Sequence, residues 1–159
     1  MSNKTADLCD DHIEKLQVAE DIFNDFGGTK CFNGEIITIK VFEDNSLVRA
    51  ALEAQGTGKV LVIDGGGSQR CALVGGLIGV LAKKNNWSGI VVYGCIRDSE
   101  EISGIEIGVK AIGTCPVKSV KRGEGQTNIP VRFAGVNFIP GHFLYADEDG
   151  MVVAEKKLD

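Results

Sequence analysis

Two short, continuously apolar runs restrict what this chain can fold into. Residues 59–63 read KVLVI and residues 89–93 read GIVVY. Neither run alternates apolar with polar residues, which is typical of strands buried on both faces of a parallel sheet that helices cover. Residues 34–42 are rich in β-branched side chains and predict a third strand. The sequence therefore predicts an α/β fold.

Segments with helical spacing separate these strands. Helices are predicted over residues 46–55 and 100–103, and a helical pattern runs over residues 69–84. Another strand is predicted over residues 107–113. The resulting order of strand, helix, strand, helix, strand requires crossover connections between parallel strands. A short helix at the start of the chain is predicted with Thr5 as its cap.

The last third of the chain has a different character. Short strands are predicted over residues 128–133, 136–139 and 151–154, with turns between them and Asp149-Gly150 as a hairpin turn. We therefore expect an α/β core with a mixed sheet. A chain of 159 residues is of ordinary size for one domain, so residues 1–159 are predicted to form a single domain.

A pair of glycines, Gly75-Gly76, interrupts the helical pattern of residues 69–84. A glycine inside a helix costs about 1 kcal/mol relative to alanine, so the pair needs a reason. One interpretation is close packing of a continuous helix on the sheet. The other is a broken helix whose new start, at residues 75–78, presents free N–H groups that bind anions. The sequence leaves both open.

Composition excludes several classes of function. The net charge is −5 and the pI is near 5.1, which argues against direct binding of nucleic acid. No apolar run approaches the roughly 20 residues that span a bilayer, and the first residues lack the apolar core of a signal peptide. We therefore expect a cytoplasmic protein. The doublets Lys83-Lys84 and Lys121-Arg122 are interpreted as solvated surface.

Cysteines and histidines give weak signals. The five cysteines include no Cys-x-x-Cys motif, so neither a disulfide framework nor a zinc site is indicated. Cys95 is open to two interpretations, a nucleophile or a small buried side chain. His12 and His142 are far apart in sequence and lack ligand spacing.

The strongest chemical signal is Arg97-Asp98, which follows the strand predicted over residues 89–93. Ligands of open α/β sheets usually bind at the carboxyl ends of strands. Arg97 offers a planar fork for a carboxylate, and Asp98 offers hard oxygen for a divalent metal. These residues predict work on a small oxo-acid held against a metal ion. The alternative is a local ion pair that fixes the loop.

Several motifs, in this order along the chain, resemble those of the regulator of RNase E activity A (RraA) family, which includes the 4-hydroxy-4-methyl-2-oxoglutarate aldolases. The matching segments are residues 5–10 (TADLCD), 41–45 (VFEDN), 62–68 (VIDGGGS), 70–75 (RCALVG), 94–98 (GCIRD) and 144–150 (LYADEDG). The resemblance implies a β/β/α swivelling-domain fold. It also implies a homotrimer, sometimes paired into a hexamer, with active sites close to subunit interfaces.

The resemblance also implies roles for particular residues. Family aldolases share a glycine, twenty residues, then Arg-Asp-x-x-Glu/Asp, and Gly76, Arg97, Asp98 and Glu101 fit this spacing. Asp98 would ligate Mg²⁺ or Mn²⁺, and Glu101 would support the metal through its water shell. Many members place an acidic residue directly after the first glycine of this turn, and after Gly75 this chain has a second glycine instead. The implied substrate-binding residues are Gly75, Gly76, Leu77, Ile78 and Arg97.

The expected function is therefore that of a metal-dependent lyase. It would cleave 4-hydroxy-4-methyl-2-oxoglutarate into two pyruvates and decarboxylate oxaloacetate, with Arg97 and Asp98 as catalytic residues. The alternative is a regulator that binds RNase E and inhibits it without chemistry. A pure regulator has no need of the Arg97-Asp98 pair, so its presence favours the lyase.

Overall fold

The structure, a computed structural model, describes residues 2–158. Within this range the helices are α1 (Thr5–His12), α2 (Ser46–Leu52), α3 (Gly76–Lys84) and α4 (Ser99–Ser103), with a 3-10 turn at Ile13–Lys15. The strands are β1 (Leu16–Val18), β2 (Asn24–Asp25), β3 (Phe32–Lys40), β4 (Lys59–Asp64), β5 (Ala72–Val74), β6 (Gly89–Ile96), β7 (Gly108–Thr114), β8 (Gln126–Thr127), β9 (Val131–Phe133), β10 (Val136–Phe138), β11 (Phe143–Asp147) and β12 (Gly150–Ala154). No helix in residues 2–158 has the length and apolarity needed to cross a membrane.

One large mixed sheet organises these elements. Strands β3, β4, β6 and β7 are parallel neighbours at its centre. Antiparallel strands β11, β12 and β1 extend one side, and β2 closes the other. Strand β5 pairs with the end of β6, and β8 pairs with the end of β3. The α/β fold with a mixed sheet is thus confirmed.

The continuous apolar pattern of β4 reflects burial on both faces. Leu61 and Ile63 pack into a core that also contains residues of α2, α3 and α4. Val60 and Val62 point to the opposite face, where the β9–β10 hairpin covers the sheet. Because successive side chains of a strand point to opposite faces, both sets must be apolar.

The predicted strand over residues 89–93 continues to Ile96, so Arg97 follows its last residue directly. The helix predicted over residues 46–55 ends earlier, at Leu52. Strands β1, β2, β8 and β11 were not predicted. The first three are two or three residues long, too short for a periodic signal.

The helical interpretation of residues 69–84 is wrong in its first half. Residues 72–74 form strand β5, because all three are buried and pair with β6. The helix begins only at Gly76, with Gly75 as its extended N-cap. The helix therefore starts where the broken-helix alternative places it, but a strand and not a helix precedes the break.

Asp147 attaches the first helix to the sheet. Thr5 donates from its backbone N–H (2.8 Å) and its Oγ1 (2.7 Å) to the Asp147 carboxylate. Thr5 is the first helical residue and not the predicted cap, since the N-cap position is Lys4. Lys110, which is buried, donates from Nζ to the Asp147 carbonyl (2.8 Å) and pairs with Asp25 (2.9 Å). Burial alone would raise the pKa of Asp147, but the hydrogen bonds from Thr5 and the following turn hold it below its ordinary value.

Candidate active site

Strand β5 brings the two predicted motifs together. It pairs in parallel with the last residues of β6, and the backbone N–H of Arg97 donates to the Val74 carbonyl at 2.9 Å. Both strands end at the same edge of the sheet, so the Gly75-Gly76 turn lies beside Arg97 and Asp98. This is the carboxyl end of the parallel strands, where ligands of α/β sheets usually bind.

Asp98 has an unusual backbone conformation and links two helices. Its φ of 56° and ψ of 43° place it in the left-handed region, which is uncommon for a non-glycine residue and recurs at functional sites. Its carbonyl accepts the Ile102 N–H at 2.9 Å as α4 begins. Its Oδ2 accepts the Gly76 N–H at 2.9 Å, at the start of α3. The carboxylate therefore lies at the positive end of a helix.

Gly75 leaves open the space in front of both side chains. A Cβ built there would stand 3.1 Å from Asp98 Oδ2 and 3.5 Å from Arg97 Cγ. A side chain at this position would therefore press on the Asp98 carboxylate and touch Arg97.

These residues line one cleft of about 500 Å³. All of the predicted substrate-binding residues are in its wall, together with Asp98; Glu101 is not part of the lining. The residues that line it are Asn45, Arg49, Ala72, Gly75, Gly76, Leu77, Ile78, Arg97, Asp98, Lys118, Ser119, Val120 and Lys121.

The cleft is cationic although the protein is acidic. Four cations, Arg49, Arg97, Lys118 and Lys121, line the cleft together with a single carboxylate, that of Asp98. The ion pairs within residues 2–158 are Arg70–Glu43 and Lys110–Asp25, so none of these four cations is neutralised by one. The alternative of an Arg97–Asp98 ion pair is therefore not what the structure contains. The Arg97 side chain makes one long hydrogen bond, from Nη1 to the Pro116 carbonyl at 3.4 Å.

Three of these cations were not predicted. Lys121 was interpreted as solvated surface; it is exposed, yet it lines the cleft with Lys118. Arg49 belongs to α2, whose contribution to the cleft depends on how α2 packs against the sheet. No local pattern marks these residues, because they are distant from Arg97 in sequence.

Asp44 holds the segment that carries the two lysines. It is 3% exposed and accepts hydrogen bonds from the backbone N–H groups of Arg122 (2.8 Å) and Glu124 (3.1 Å). Its other oxygen accepts from the N–H and Oγ of Ser46 at the start of α2. Burial alone would raise the pKa of Asp44, but these hydrogen bonds hold it far below its ordinary value of 3.8.

Cys95 belongs to the core. It is 1% exposed within β6, and burial raises the pKa of its thiol, with the nearby Cys115 adding to the effect. The nucleophile interpretation thus loses support, because a buried neutral thiol is inert.

A metal here would have few protein ligands. No group of three or more His, Cys, Asp or Glu side chains within residues 2–158 is arranged to hold a metal ion. Mg²⁺ commonly binds through only one or two carboxylates and keeps several waters. Within residues 2–158 the Asp98 carboxylate accepts one hydrogen bond, at Oδ2, which leaves Oδ1 for another partner. The donor set fits a hydrated Mg²⁺ or Mn²⁺.

The fold and the cleft define a mixed-sheet α/β protein with a cationic cleft at the carboxyl ends of its parallel strands. The RraA-like family, described as Aldolase/RraA, matches residues 5–153, and the chain belongs to this family.

Two similar proteins that match over nearly their whole length have the same provisional name. A protein of Aromatoleum aromaticum (strain EbN1), provisionally named 4-hydroxy-4-methyl-2-oxoglutarate aldolase, is 56% identical over 158 residues and covers 99% of both chains. A protein of Dechloromonas aromatica with the same provisional name is 55% identical over 162 residues, again covering 99% of both.

Two solved structures share the fold closely. A protein of Geobacillus kaustophilus HTA426, described as an S-adenosylmethionine:2-dimethylmenaquinone methyltransferase, has a TM-score of 0.96 and 52% identity, covering 98% of this chain and 96% of that one. The RNA-processing inhibitor RraA from Thermus thermophilis has a TM-score of 0.96 and 43% identity, and the match covers 100% of this chain and 96% of that one.

Replacing Asp44 with Asn should loosen the lysine-bearing segment. Arg122 and Glu124 donate to one carboxylate oxygen and Ser46 donates to the other, so the single acceptor of Asn can serve only one of these two sets, and neither set keeps a charged partner. We expect a cost of about 1–3 kcal/mol. We expect a lower free energy of unfolding in urea at pH 7 and faster hydrogen exchange at these amides. Glu124→Gln, which changes an exposed carboxylate in the same segment, is the control.

The same contact predicts a pH dependence. A carboxyl group whose pKa is lowered on folding stabilises the fold above its unfolded pKa, and loses that effect as pH falls through the folded value. The stability difference between wild type and Asp44→Asn should therefore be constant above pH 5 and shrink below about pH 4. A difference that persists unchanged at pH 2 would contradict this role.

Proposed function

We propose that this RraA-like protein is a divalent-metal-dependent aldolase that cleaves 4-hydroxy-4-methyl-2-oxoglutarate into two pyruvates and decarboxylates oxaloacetate. The assignment to the lyases rests on relatives more than 50% identical over the whole chain, which carry that aldolase name provisionally. The observation that carries the proposal is the cleft itself. Arg97, Asp98 and the start of α3 meet there, with three further cations.

The charge of the cleft supports a dicarboxylate substrate. Arg97 offers two parallel N–H groups for the carboxylate next to the keto group. Arg49, Lys118 and Lys121 remain for a second carboxylate, and both proposed substrates have one. Four cations against one carboxylate would leave the cleft with excess positive charge until a dianion binds.

The start of α3 supplies further donors. The first intrahelical bond of α3 runs from Gly79 N–H to the Gly75 carbonyl, and Gly76 N–H is taken by Asp98. Leu77 and Ile78 therefore have N–H groups without an intrahelical acceptor. These amides, at the positive end of the helix, would orient the keto-acid group and stabilise charge that develops on it.

The residues fit a divalent metal in a defined way. Asp98 would hold Mg²⁺ or Mn²⁺ directly, and Glu101 would do so through water. When bound, the metal would supply Lewis-acid stabilisation of the negative charge that bond cleavage leaves on the keto oxygen. Arg97 holds the substrate so that its keto and carboxyl oxygens face that position, and Gly75 keeps the approach clear.

The methyltransferase name of one structural neighbour is not carried over. The cleft lining contains no aromatic side chain to stack on an adenine ring, and its four cations would repel the sulfonium of S-adenosylmethionine. The RNA-processing inhibitor supports a second proposal, in which the protein binds RNase E. Binding of this kind needs a surface and not the Arg97-Asp98 pair, so both functions can reside in one protein.

The aldolase proposal predicts metal dependence. Pyruvate release from 4-hydroxy-4-methyl-2-oxoglutarate should disappear in EDTA and return when Mg²⁺ or Mn²⁺ is added in excess. Oxaloacetate decarboxylation above its uncatalysed rate should follow the same pattern. Full activity in chelator, or covalent trapping of substrate by borohydride, would refute the metal-dependent mechanism.

Substitutions of Arg97 and of Asp98 should change different properties, substrate turnover in one case and metal affinity in the other. Arg97→Lys loses the two-pronged contact, worth about 1.5–3 kcal/mol, and should lower kcat/KM about 10- to 100-fold without changing Mn²⁺ affinity. Asp98→Asn retains an oxygen acceptor for the Gly76 N–H but loses the charge. It should weaken Mn²⁺ binding at least tenfold.

The melting temperature of both variants should stay near that of the wild type. Near-normal kinetics in Arg97→Lys would contradict a substrate contact. Inhibition of RNase E, measured with the same Arg97→Lys protein, should be retained if regulation does not use the cleft.

We also propose that the protein assembles as a homotrimer. Exposed apolar side chains occur on two segments that line the cleft, and exposed apolar surface marks interaction sites. Leu77 and Val120 are in the cleft wall, while Val80 lies further along α3 and Val117 directly precedes Lys118. Light scattering at micromolar concentration should give about three times the chain mass of 16.9 kDa. Val80→Asp should lower that mass, whereas Val18→Asp, at an exposed position on β1, should not. A wild-type mass of one chain refutes the assembly.

A further inference from the structure

Three carboxylates are buried within residues 2–158, and one of them differs from the other two. Asp44 accepts four hydrogen bonds and Asp147 accepts three. Asp64 is 8% exposed, yet it accepts only one, from the Gly66 N–H at 2.9 Å. The ion pairs of the described residues do not include it. Burying a carboxylate is costly unless donors satisfy its oxygens, so Asp64 retains capacity for a donor that the chain does not supply.

Asp64 lies in the wall of a second cleft, of about 500 Å³. Lys40 and Asp64 are the last residues of β3 and β4 and are paired in register, and Asp64 is paired with Tyr93 of β6. Because side chains alternate along a strand, these three lie on the face that the β9–β10 hairpin covers, as Val62 does. The candidate active site lies on the other face, beside α2 and α3.

The charges that line the second cleft are balanced, unlike those of the candidate active site. Two cations, Lys40 and Arg132, accompany two carboxylates, Asp64 and Glu124. Within residues 2–158 none of the four is part of an ion pair. A ligand that carries one positive and one negative group would match this arrangement. Its ammonium would donate to Asp64, and its carboxylate would accept from the planar fork of Arg132.

Two aromatic rings add an apolar wall. Phe42 lines the cleft and is 57% exposed, and a Cβ built on Gly66 would stand 2.9 Å from its Cδ1. Tyr93 packs in the same way on Gly67, where a Cβ would stand 3.0 Å from its Cζ. The glycines that follow Asp64 therefore leave room for both rings. Ligand pockets commonly combine such an apolar wall with a few placed polar groups.

We propose that the second cleft binds a free α-amino acid with an apolar or aromatic side chain. Asp64 holds the ammonium, Arg132 holds the carboxylate, and Phe42 contacts the side chain. The proposal goes beyond the aldolase reaction and uses none of its residues. The competing explanation is that Asp64 only shapes the glycine loop through Gly66, while solvent satisfies its other oxygen.

A series of three related compounds tests the two charged contacts. Binding of L-phenylalanine, L-phenylalaninamide and 3-phenylpropionate to the full chain is measured by calorimetric titration. The amide lacks the carboxylate and the propionate lacks the ammonium. Each should bind about 10- to 100-fold more weakly than L-phenylalanine, because each loses one hydrogen-bonded charge pair.

Two variants assign each contact to a residue. Asp64→Asn keeps an oxygen acceptor for the Gly66 N–H but loses the charge. It should weaken L-phenylalanine binding at least tenfold and bind 3-phenylpropionate at least as tightly as the wild type does. Arg132→Gln, at an exposed position, should weaken L-phenylalanine binding to a similar extent and leave binding of the amide unchanged. Lys30→Gln removes an exposed cation outside the cleft and is the control.

Arg97→Lys separates the second cleft from the candidate active site, whose cations could also attract a carboxylate. It should bind L-phenylalanine like the wild type, and a loss of affinity in this variant would overturn the proposal. A wild type that binds neither L-phenylalanine nor L-leucine at millimolar concentration would do the same, as would equal affinity for the three compounds. A lower melting temperature of Asp64→Asn with unchanged L-phenylalanine affinity would show that Asp64 only shapes the loop.

Discussion

The pairing of a three-residue strand with the end of β6 is the constraint on which the site depends. Strand β5 is held by ladder bonds to Cys95 and Ile96, and the Val74 carbonyl binds the N–H of Arg97. This contact places the start of α3 beside the Arg97-Asp98 turn, although twenty residues separate Gly76 from Arg97. Without it, the carboxylate of Asp98 and the free amides of α3 would have no reason to meet.

Opposite charges are separated within the molecule. The chain carries a net charge of −5, yet four cations converge on one cleft with a single carboxylate in its wall. Gathering like charges is unfavourable unless a counter-charge binds, so the arrangement favours an anionic ligand. The buried carboxylate of Asp44 helps to hold these charges in place. It accepts hydrogen bonds from the N–H groups of Arg122 and Glu124 and so fixes the segment that carries Lys118 and Lys121.

Two adjacent glycines serve different purposes at the site. Gly75 keeps the space before Arg97 and Asp98 clear, while the space beside Gly76 is filled by Glu101. A side chain at residue 75 would press on the Asp98 carboxylate, and one at residue 76 would displace the Glu101 carboxylate. The propensity cost of glycine at a helix start is thus offset by access and by the placement of charge.

Much of the fold was determined by the sequence alone. Continuous apolar runs such as KVLVI can be satisfied only by burial on both faces, so the parallel centre of the sheet follows directly from them. The Arg97-Asp98 pair at the end of β6 is just as local, because its position depends only on where that strand stops.

The sequence alone did not determine features that depend on contacts between residues far apart in the chain. Residues 72–74 have helical spacing and became a strand because β6 offered an open edge. Lys121 looked like ordinary surface, and it faces the cleft because Asp44, far away in sequence, binds the segment beside it. Glu101 reaches Gly76 because of the packing of α4 on α3. Periodicity records the burial of each residue but not the identity of its neighbour, and only the tertiary structure supplies that.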